Sequence, residues 1–203
     1  MLDPSCGIVY IAIGEKAKQF AERSIEALRR CNDFEVTIFT EKHCDVQDAF
    51  QTSKEISRSL KTRLYDLSPY DYTLYIDADT FPDGDVSPGF ETLAGGWDMA
   101  IIYSSSQGPE MMWHIGKTER ELTAELYGFR PLQLQGGVMY FKRNERVENF
   151  FTTWHREWLI WKEEDQAALL RALYKSPLKY WMLGRPFNGG AVIRHTFARM
   201  DGD

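Results

Sequence analysis

Two carboxylates one residue apart, Asp77 and Asp79, close the most informative stretch of the chain, KTRLYDLSPYDYTLYIDADT, residues 61–80. An apolar run, YTLYI, stops just before them, and ligands of open α/β sheets bind beyond the carboxyl ends of the strands. At that spacing both groups can reach one hard divalent cation, or one can take the cation and the other a ribose. The alternative is a solvated turn, because D-x-D arises readily in an acidic chain. Lys61, sixteen residues before Asp77, flanks the apolar stripe of the preceding helix. From there it could reach over the sheet edge to a phosphate near the two aspartates, or it could shield apolar surface with its stem. Gln135-Gly136-Gly137-Val138 places a glycine pair in a strand, which leaves room for a ligand against the backbone or marks a bulge.

These groups need a scaffold, and the chain spells one. GIVYIAI, Gly7 to Ile13, reads as a buried parallel strand, followed by a helix over KAKQFAERSIEALRR and a second strand, Val36 to Thr40. That β-α-β opening predicts an open α/β sheet. A helix from Ser53 to Leu67 follows, with Thr52 and Glu55 as its capping box and Ile56, Leu60, Leu64 and Leu67 as its stripe. YTLYID is the next strand, DADTFPDGD a turn segment, WDMAIIY a strand and SSSQGP a loop. Thr118 with Glu121 predicts a second capping box, with Gly128 stopping that helix. LQLQGGVMYFK is a strand. A long helix runs from about Asn144 to Trp161, and a shorter one opens near Asp165. Residues 180–195 read as short strands broken by GRPFNGG. No repeat or linker divides the chain, so a single domain over 1–203 is expected, with a nucleotide-binding α/β half to about 103 and a more irregular half from about 104.

Composition bounds the partners. The 203 residues are 43% hydrophobic and 14% aromatic, so the chain buries a core rather than remaining disordered. Its formal net charge of -6 argues against nucleic acid as the main partner. Cys6, Cys31 and Cys44 show neither a disulfide framework nor a zinc spacing, which fits a reducing compartment. No stretch approaches the roughly 18 apolar residues of a membrane span, and no signal peptide is legible. A cytoplasmic protein is expected.

The segment from Lys61 to Thr80 resembles the donor site of glycogenin and related family 8 glycosyltransferases. The lysine, the sixteen-residue interval and the D-A-D-T wording match, and three further likenesses follow in order. Gln135-Gly136-Gly137-Val138 stands where the family carries Asn-Ala-Gly-Val or Asn-Ser-Gly-Val beside the donor sugar. Asp165-Gln166 resembles its Asp-Gln pair near the reacting centre, and His195 its late metal-binding histidine. The resemblance implies a GT-A fold: an α/β architecture with an open, mostly parallel mixed sheet flanked by helices. It implies a hexosyl transfer from a nucleotide-sugar donor, with UDP as the nucleotide and retention at the anomeric carbon, to an acceptor that is a glycan, protein or small molecule. Asp77, Asp79 and His195 would bind Mn²⁺ or Mg²⁺. Lys61 would contact the diphosphate, and Ala12, Ile13 and Gly14 would line the nucleotide. Ala78, Gln135, Gly136 and Gly137 would complete the donor site, with Asp165 and Gln166 as catalytic residues.

The family follows its late histidine with a glycine and a lysine-proline-tryptophan run, whereas here TFARMDGD follows His195 and only Arg199 could stand in for the lysine. That departure favours a second reading, an inactive sugar- or nucleotide-binding protein of the same fold. A phosphatase of haloacid dehalogenase type also uses D-x-D, but it wants Thr or Val where Phe81 stands and places the motif after its first strand. A sugar nucleotidyltransferase would need a glycine-rich loop, and IAIGEKAKQF has one glycine. Trp154, Trp158 and Trp161 form a helical stripe that packs in a core or stacks sugars, with His155 inside it. Trp113 and His114, in a loop-like segment, are candidates for acceptor contact.

Overall fold

Strand β1 (Cys6–Ile11) alternates its side chains between two buried layers, and a computed structural model describing residues 4–43, 52–104 and 112–196 shows which helices fill each. After β1 come α1 (Glu15–Leu28), β2 (Glu35–Phe39), α2 (Ser53–Thr62), α3 (Leu64–Leu67) and β3 (Tyr72–Asp77). Then follow β4 (Thr80–Pro82), α4 (Ser87–Ala94), β5 (Met99–Tyr103), α5 (Lys117–Tyr127) and β6 (Leu134–Lys142). The last elements are α6 (Glu145–Trp161), α7 (Asp165–Lys175), β7 (Tyr180–Leu183) and β8 (Ile193–His195).

Six strands form one sheet in the order β2-β1-β3-β6-β5-β7. β1 runs parallel to β2 and β3, and β5 parallel to β7, while β6 is antiparallel to both neighbours. The expected mixed, mostly parallel α/β sheet is therefore present. Val9, Tyr75, Ile101 and Met139 face a layer built from α2, α3, α6 and α7, where Leu60, Phe150, Trp154 and Trp158 are buried. Ile8, Tyr10, Leu74 and Ile76 face the opposite layer, with Ala21 and Leu28 of α1 and Phe90 and Leu93 of α4. Helices on both faces explain why these strands read as continuous apolar runs.

Several local expectations hold. Thr52 and Glu55 form the capping box, with Glu55 N donating to Thr52 Oγ1 at 3.2 Å and Thr52 N to Glu55 Oε2 at 2.9 Å. Asn144 caps α6 by accepting from Val147 N at 3.0 Å, and Gly128 ends α5 at φ 71°. Trp154 and Trp158 are fully buried, so their stripe packs in the core. Three expectations are corrected. The helix from Ser53 does not run unbroken to Leu67: Arg63, at φ -113° and ψ 14°, ends α2 before a short α3. Thr118 sits inside the first turn of α5, where its hydroxyl cannot cap, and Gly116 opens that helix without a side-chain bond. DADTFPDGD is not all turn, because Thr80–Pro82 pairs antiparallel with Ile193–His195 in a separate two-stranded ribbon. Arg199, Cys44 and most of SSSQGP lie outside the described residues.

Candidate functional site

Asp77 ends β3 and Asp79 lies in the two-residue turn into β4. Pairing of β4 with β8 sets Thr80 opposite His195, which brings His195 Nε2 to 3.3 Å from Asp79 Oδ1. The turn is fixed from both sides: Thr80 Oγ1 donates to the Asp77 carbonyl at 2.5 Å, and Thr196 donates its N–H and hydroxyl to the Asp79 carbonyl at 3.1 and 2.9 Å. One ligand atom each from Asp77, Asp79 and His195 lies within 4.8 Å of the others. Two carboxylate oxygens and an imidazole nitrogen form a mixed O/N set that suits Mn²⁺ or Mg²⁺, manganese accepting the nitrogen more readily. Gln135 Nε2 stands 3.4 Å from His195 Nδ1, where it can orient the ring.

Lys61, in the last turn of α2, is buried, and it does not shield surface. Its Nζ lies 3.0 Å from Asp77 Oδ1, 3.1 Å from Asp165 Oδ2 and 5.2 Å from the centre of the Tyr75 ring. Burial alone would lower its pKa, but Asp165 and Asp77 outweigh burial and the net shift is upward, so the ammonium stays charged. Tyr75 donates its hydroxyl to Asp77 Oδ1 at 2.6 Å, and burial holds its own pKa well above the usual phenol value. Tyr75 and Asp77 project to the same side of β3 because they are two residues apart, a period-2 signal that the sequence offers and that a search for carboxylates passes over.

Asp165 opens α7, buried beneath the cleft. Burial would raise its pKa, yet Lys61 and Arg58 outweigh that and hold it below the usual carboxylate range. The turn before it is clamped: Trp154 Nε1 donates to the Asp165 carbonyl at 3.0 Å and Trp158 Nε1 to the Glu163 carbonyl at 3.3 Å, while Lys162 takes φ 56°. Arg58 pairs with Glu164 and lies 3.9 Å from Asp165 Oδ1, and Lys54 Nζ pairs with Glu164 at 2.6 Å. Arg58, one turn before Lys61, and Glu164, just before Asp165, were not singled out from sequence. Gln166 is tied from below, accepting from Gln133 Nε2 at 3.0 Å.

The glycine pair sits where the β5–β6 register jumps, Ile101 pairing with Met139 and Ile102 with Gln135, so the pair marks a bulge. A Cβ on Gly137 would stand 2.7 Å from Asp77 Oδ2, so the Asp77 carboxylate would have to move aside. On Gly136 it would meet the Trp154 ring at 3.4 Å and Asp165 Oδ2 at 3.6 Å.

Two clefts meet at Asp77. The larger, of about 500 Å³, is lined by Lys61, Gly136, Gly137, Asp165, Gln166 and Trp113 among others. The smaller, of about 350 Å³, runs between β1 and α1 and is lined by Ile11, Ile13, Lys16, Phe20, Ala78 and Asp79. Of the three residues expected at the end of β1, Ile13 lines this cleft. Ala12 points to the opposite layer, fully buried, and Gly14 at φ 85° donates its N–H to Glu41 Oε1 at 2.5 Å. The arrangement can hold a cation between the clefts, with a fixed ammonium and a buried carboxylate beside it.

No protein-family model matches the chain, and no curated protein matches its sequence. Among solved structures, the chain is similar to the WbbM bifunctional glycosyltransferase, at 16% identity and TM-score 0.62 over 94% of this chain and 41% of that one. It is similar to the galactosyltransferase LgtC in complex with donor and acceptor sugar analogues, at 14% identity and TM-score 0.59 over 90% and 74%. It is also similar to a glycosyltransferase involved in glycosylation of the major capsid of PBCV-1, at 10% identity and TM-score 0.58 over 96% and 95%. The chain thus spans less than half the length of WbbM. The fold is that of the GT-A glycosyltransferases. No helix among the described residues is long and apolar enough to cross a membrane.

Proposed function

We propose that this chain is a metal-dependent glycosyltransferase that moves a hexosyl group from a UDP-sugar to an acceptor hydroxyl with retention of configuration. The observation that carries the reading is the convergence on Asp77: a three-residue donor set on one side, and Lys61 joining it to Asp165 on the other. The nucleotide would lie in the cleft between Ile13 and Phe20, and the donor sugar against Gly136 and Gly137.

Transfer breaks the bond between the anomeric carbon and a diphosphate oxygen and forms one to the acceptor oxygen, whose proton leaves with the departing phosphate. Negative charge grows on the diphosphate while the sugar becomes cationic. Lys61, kept protonated by its two partners, offers fixed positive charge to the first. Asp165, kept ionised, offers fixed negative charge to the second. Asp77, Asp79 and His195 would hold Mn²⁺ or Mg²⁺, which when bound neutralises the leaving diphosphate. Gln135, Gln166 and Ala78 complete the donor site, and the surrounding dry core keeps these charges strong.

Calorimetric titration of UDP with Mn²⁺, with EDTA, and into Asp79→Ala tests the reading. Binding at least about tenfold tighter with Mn²⁺, a difference of about 1.4 kcal/mol, and lost in the variant, is expected. Absence of binding to UDP, GDP and CDP would overturn it. Binding with no donor hydrolysis or transfer would leave a nucleotide-binding protein of the same fold.

A further inference from the structure

The mouth of the larger cleft carries an indole that the fold holds outward. Trp113 is 67% exposed, yet its neighbours are anchors: Met112 is fully buried and Ile115 is 4% exposed. Met112 takes φ 55°, a left-handed conformation that is strained for a non-glycine residue and persists where surrounding structure imposes it. Its N–H donates to Gln133 Oε1 at 2.7 Å, and the same Gln133 amide donates to Gln166. The turn from Met112 to Ile115 is thereby coupled to the start of α7, and it presents Trp113, packed edge-on against His114 at 5.8 Å, to the cleft that Asp165 lines.

We infer that Trp113 is the stacking platform for a neutral pyranose, the acceptor of the transfer. This rests on the reading of the cleft as a transferase site and adds the acceptor's chemical class. A flat aromatic face held in water against a polar cleft matches a sugar ring, whose C–H face is apolar and whose hydroxyls seek polar partners. Charge argues for a neutral ring. Lys54 and Arg58 are both paired with Glu164, and Lys61 with Asp77 and Asp165, so the lysines and arginine lining this cleft already face carboxylates.

The test titrates methyl β-D-glucopyranoside, methyl β-D-galactopyranoside, methyl β-D-xylopyranoside and methyl β-D-glucuronide into the protein, with and without UDP and Mn²⁺. Glycoside binding is read by ligand-observed saturation-transfer NMR, which needs no indole, for wild type, Trp113→Ala and Trp113→Tyr, and UDP affinity is measured on each by calorimetry. At least one neutral glycoside is expected to give a saturable change in wild type. Its affinity should fall about tenfold in Trp113→Ala and be largely restored in Trp113→Tyr. UDP affinity should be the same in all three, because Trp113 is exposed and touches none of the cation's ligands. UDP binding with no glycoside response, or a response unchanged in Trp113→Ala, overturns the inference and leaves the transferase reading standing. Tighter binding of the glucuronide overturns the neutral assignment. A glycoside response without UDP binding supports the sugar platform and removes the donor reading, and silence from both ligands overturns both.

Discussion

Among the described residues, two groups bury several charges together, and only one of them opens on a cleft. Around Asp77, Lys61 joins Asp77 to Asp165, Arg58 lies 3.9 Å from Asp165, Asp79 stands against His195, and the cluster lines both cavities. Between α5, α6 and α7, Arg171 donates from all three of its nitrogens: Nε to Glu157 Oε2 at 2.9 Å, Nη1 to Thr123 Oγ1 at 2.8 Å, and Nη2 to the Glu157 carbonyl at 3.2 Å, while Nη2 also forms an ion pair with Glu119 Oε1 at 2.9 Å. Lys175 adds a bond to Glu157 Oε1 at 2.5 Å. This second group has two acids and two bases, and none of its members lines either cleft. Burial is comparable, since Asp165 and Arg171 are each 6% exposed. Burial of charge therefore does not mark a site by itself. The mark is an excess of one sign left facing open volume, where a ligand of the other sign can complete it.

Breaking the sealed group should have the largest effect and leave the open one intact. Arg171→Met strands Glu119, leaves Glu157 with Lys175 alone, and should cost about 3–5 kcal/mol in denaturant titration. The folded protein should still bind UDP and Mn²⁺ with wild-type affinity, and loss of that affinity would mean the two groups are coupled. Gly137→Ala inverts the pattern. Its Cβ would displace the Asp77 carboxylate, and Mn²⁺-dependent UDP affinity should fall about 100-fold, or about 2.7 kcal/mol. Stability should drop by no more than the roughly 1–3 kcal/mol of an overpacked site. Gly136→Ala, whose Cβ meets only ordinary or slightly tight contacts, is the control that should keep most of the affinity.

Acid sharpens the comparison with the smallest effect. The Asp165 pKa is depressed, so its contribution to stability is present above the ordinary carboxylate value and lost as pH falls through the lower folded one. Burial outweighs Arg171 at Glu119 and raises that pKa, so its contribution is present below the ordinary value and lost as pH rises through the higher folded one. Glu119→Gln should gain stability relative to wild type as pH rises above the ordinary glutamate value of about 4.3. Asp165→Asn should lose it in a lower range, as pH rises from the depressed folded value to the ordinary aspartate value of about 3.9, and stay level above it. Parallel curves for the two variants in denaturant series across pH would refute the assignment.

The open cluster was legible in sequence where spacing along the chain encodes it. Lys61, Asp77 and Asp79 announce themselves through a helix, an interval and a strand end, and Asp165 through a helix start. His195 became legible through order of motifs alone, because β4 and β8 have three residues each and neither is long enough to show alternation. The Arg58–Glu164 pair joins residues 106 apart, and Arg171 was invisible among the other surface-type residues of its helix. Such contacts depend on how α2, α6 and α7 dock, which local periodicity does not specify. The break at Arg63 escaped for a related reason: the apolar stripe continues through it, since Leu60 and Leu64 both remain buried.

The short ribbon of β4 and β8 has a consequence in polymer terms. It joins Asp79 to residues 116 and 117 positions later, closing the largest loop within the site through three residue pairs and two bonds from Thr196. The entropy of such a closure grows only with the logarithm of loop length, so a few contacts suffice to hold it, and few are lost when it opens. An ion gripped by Asp77, Asp79 and His195 would act as a cross-link across that loop. Donor binding would then be felt as tension in the late strand as well as chemistry at the early one.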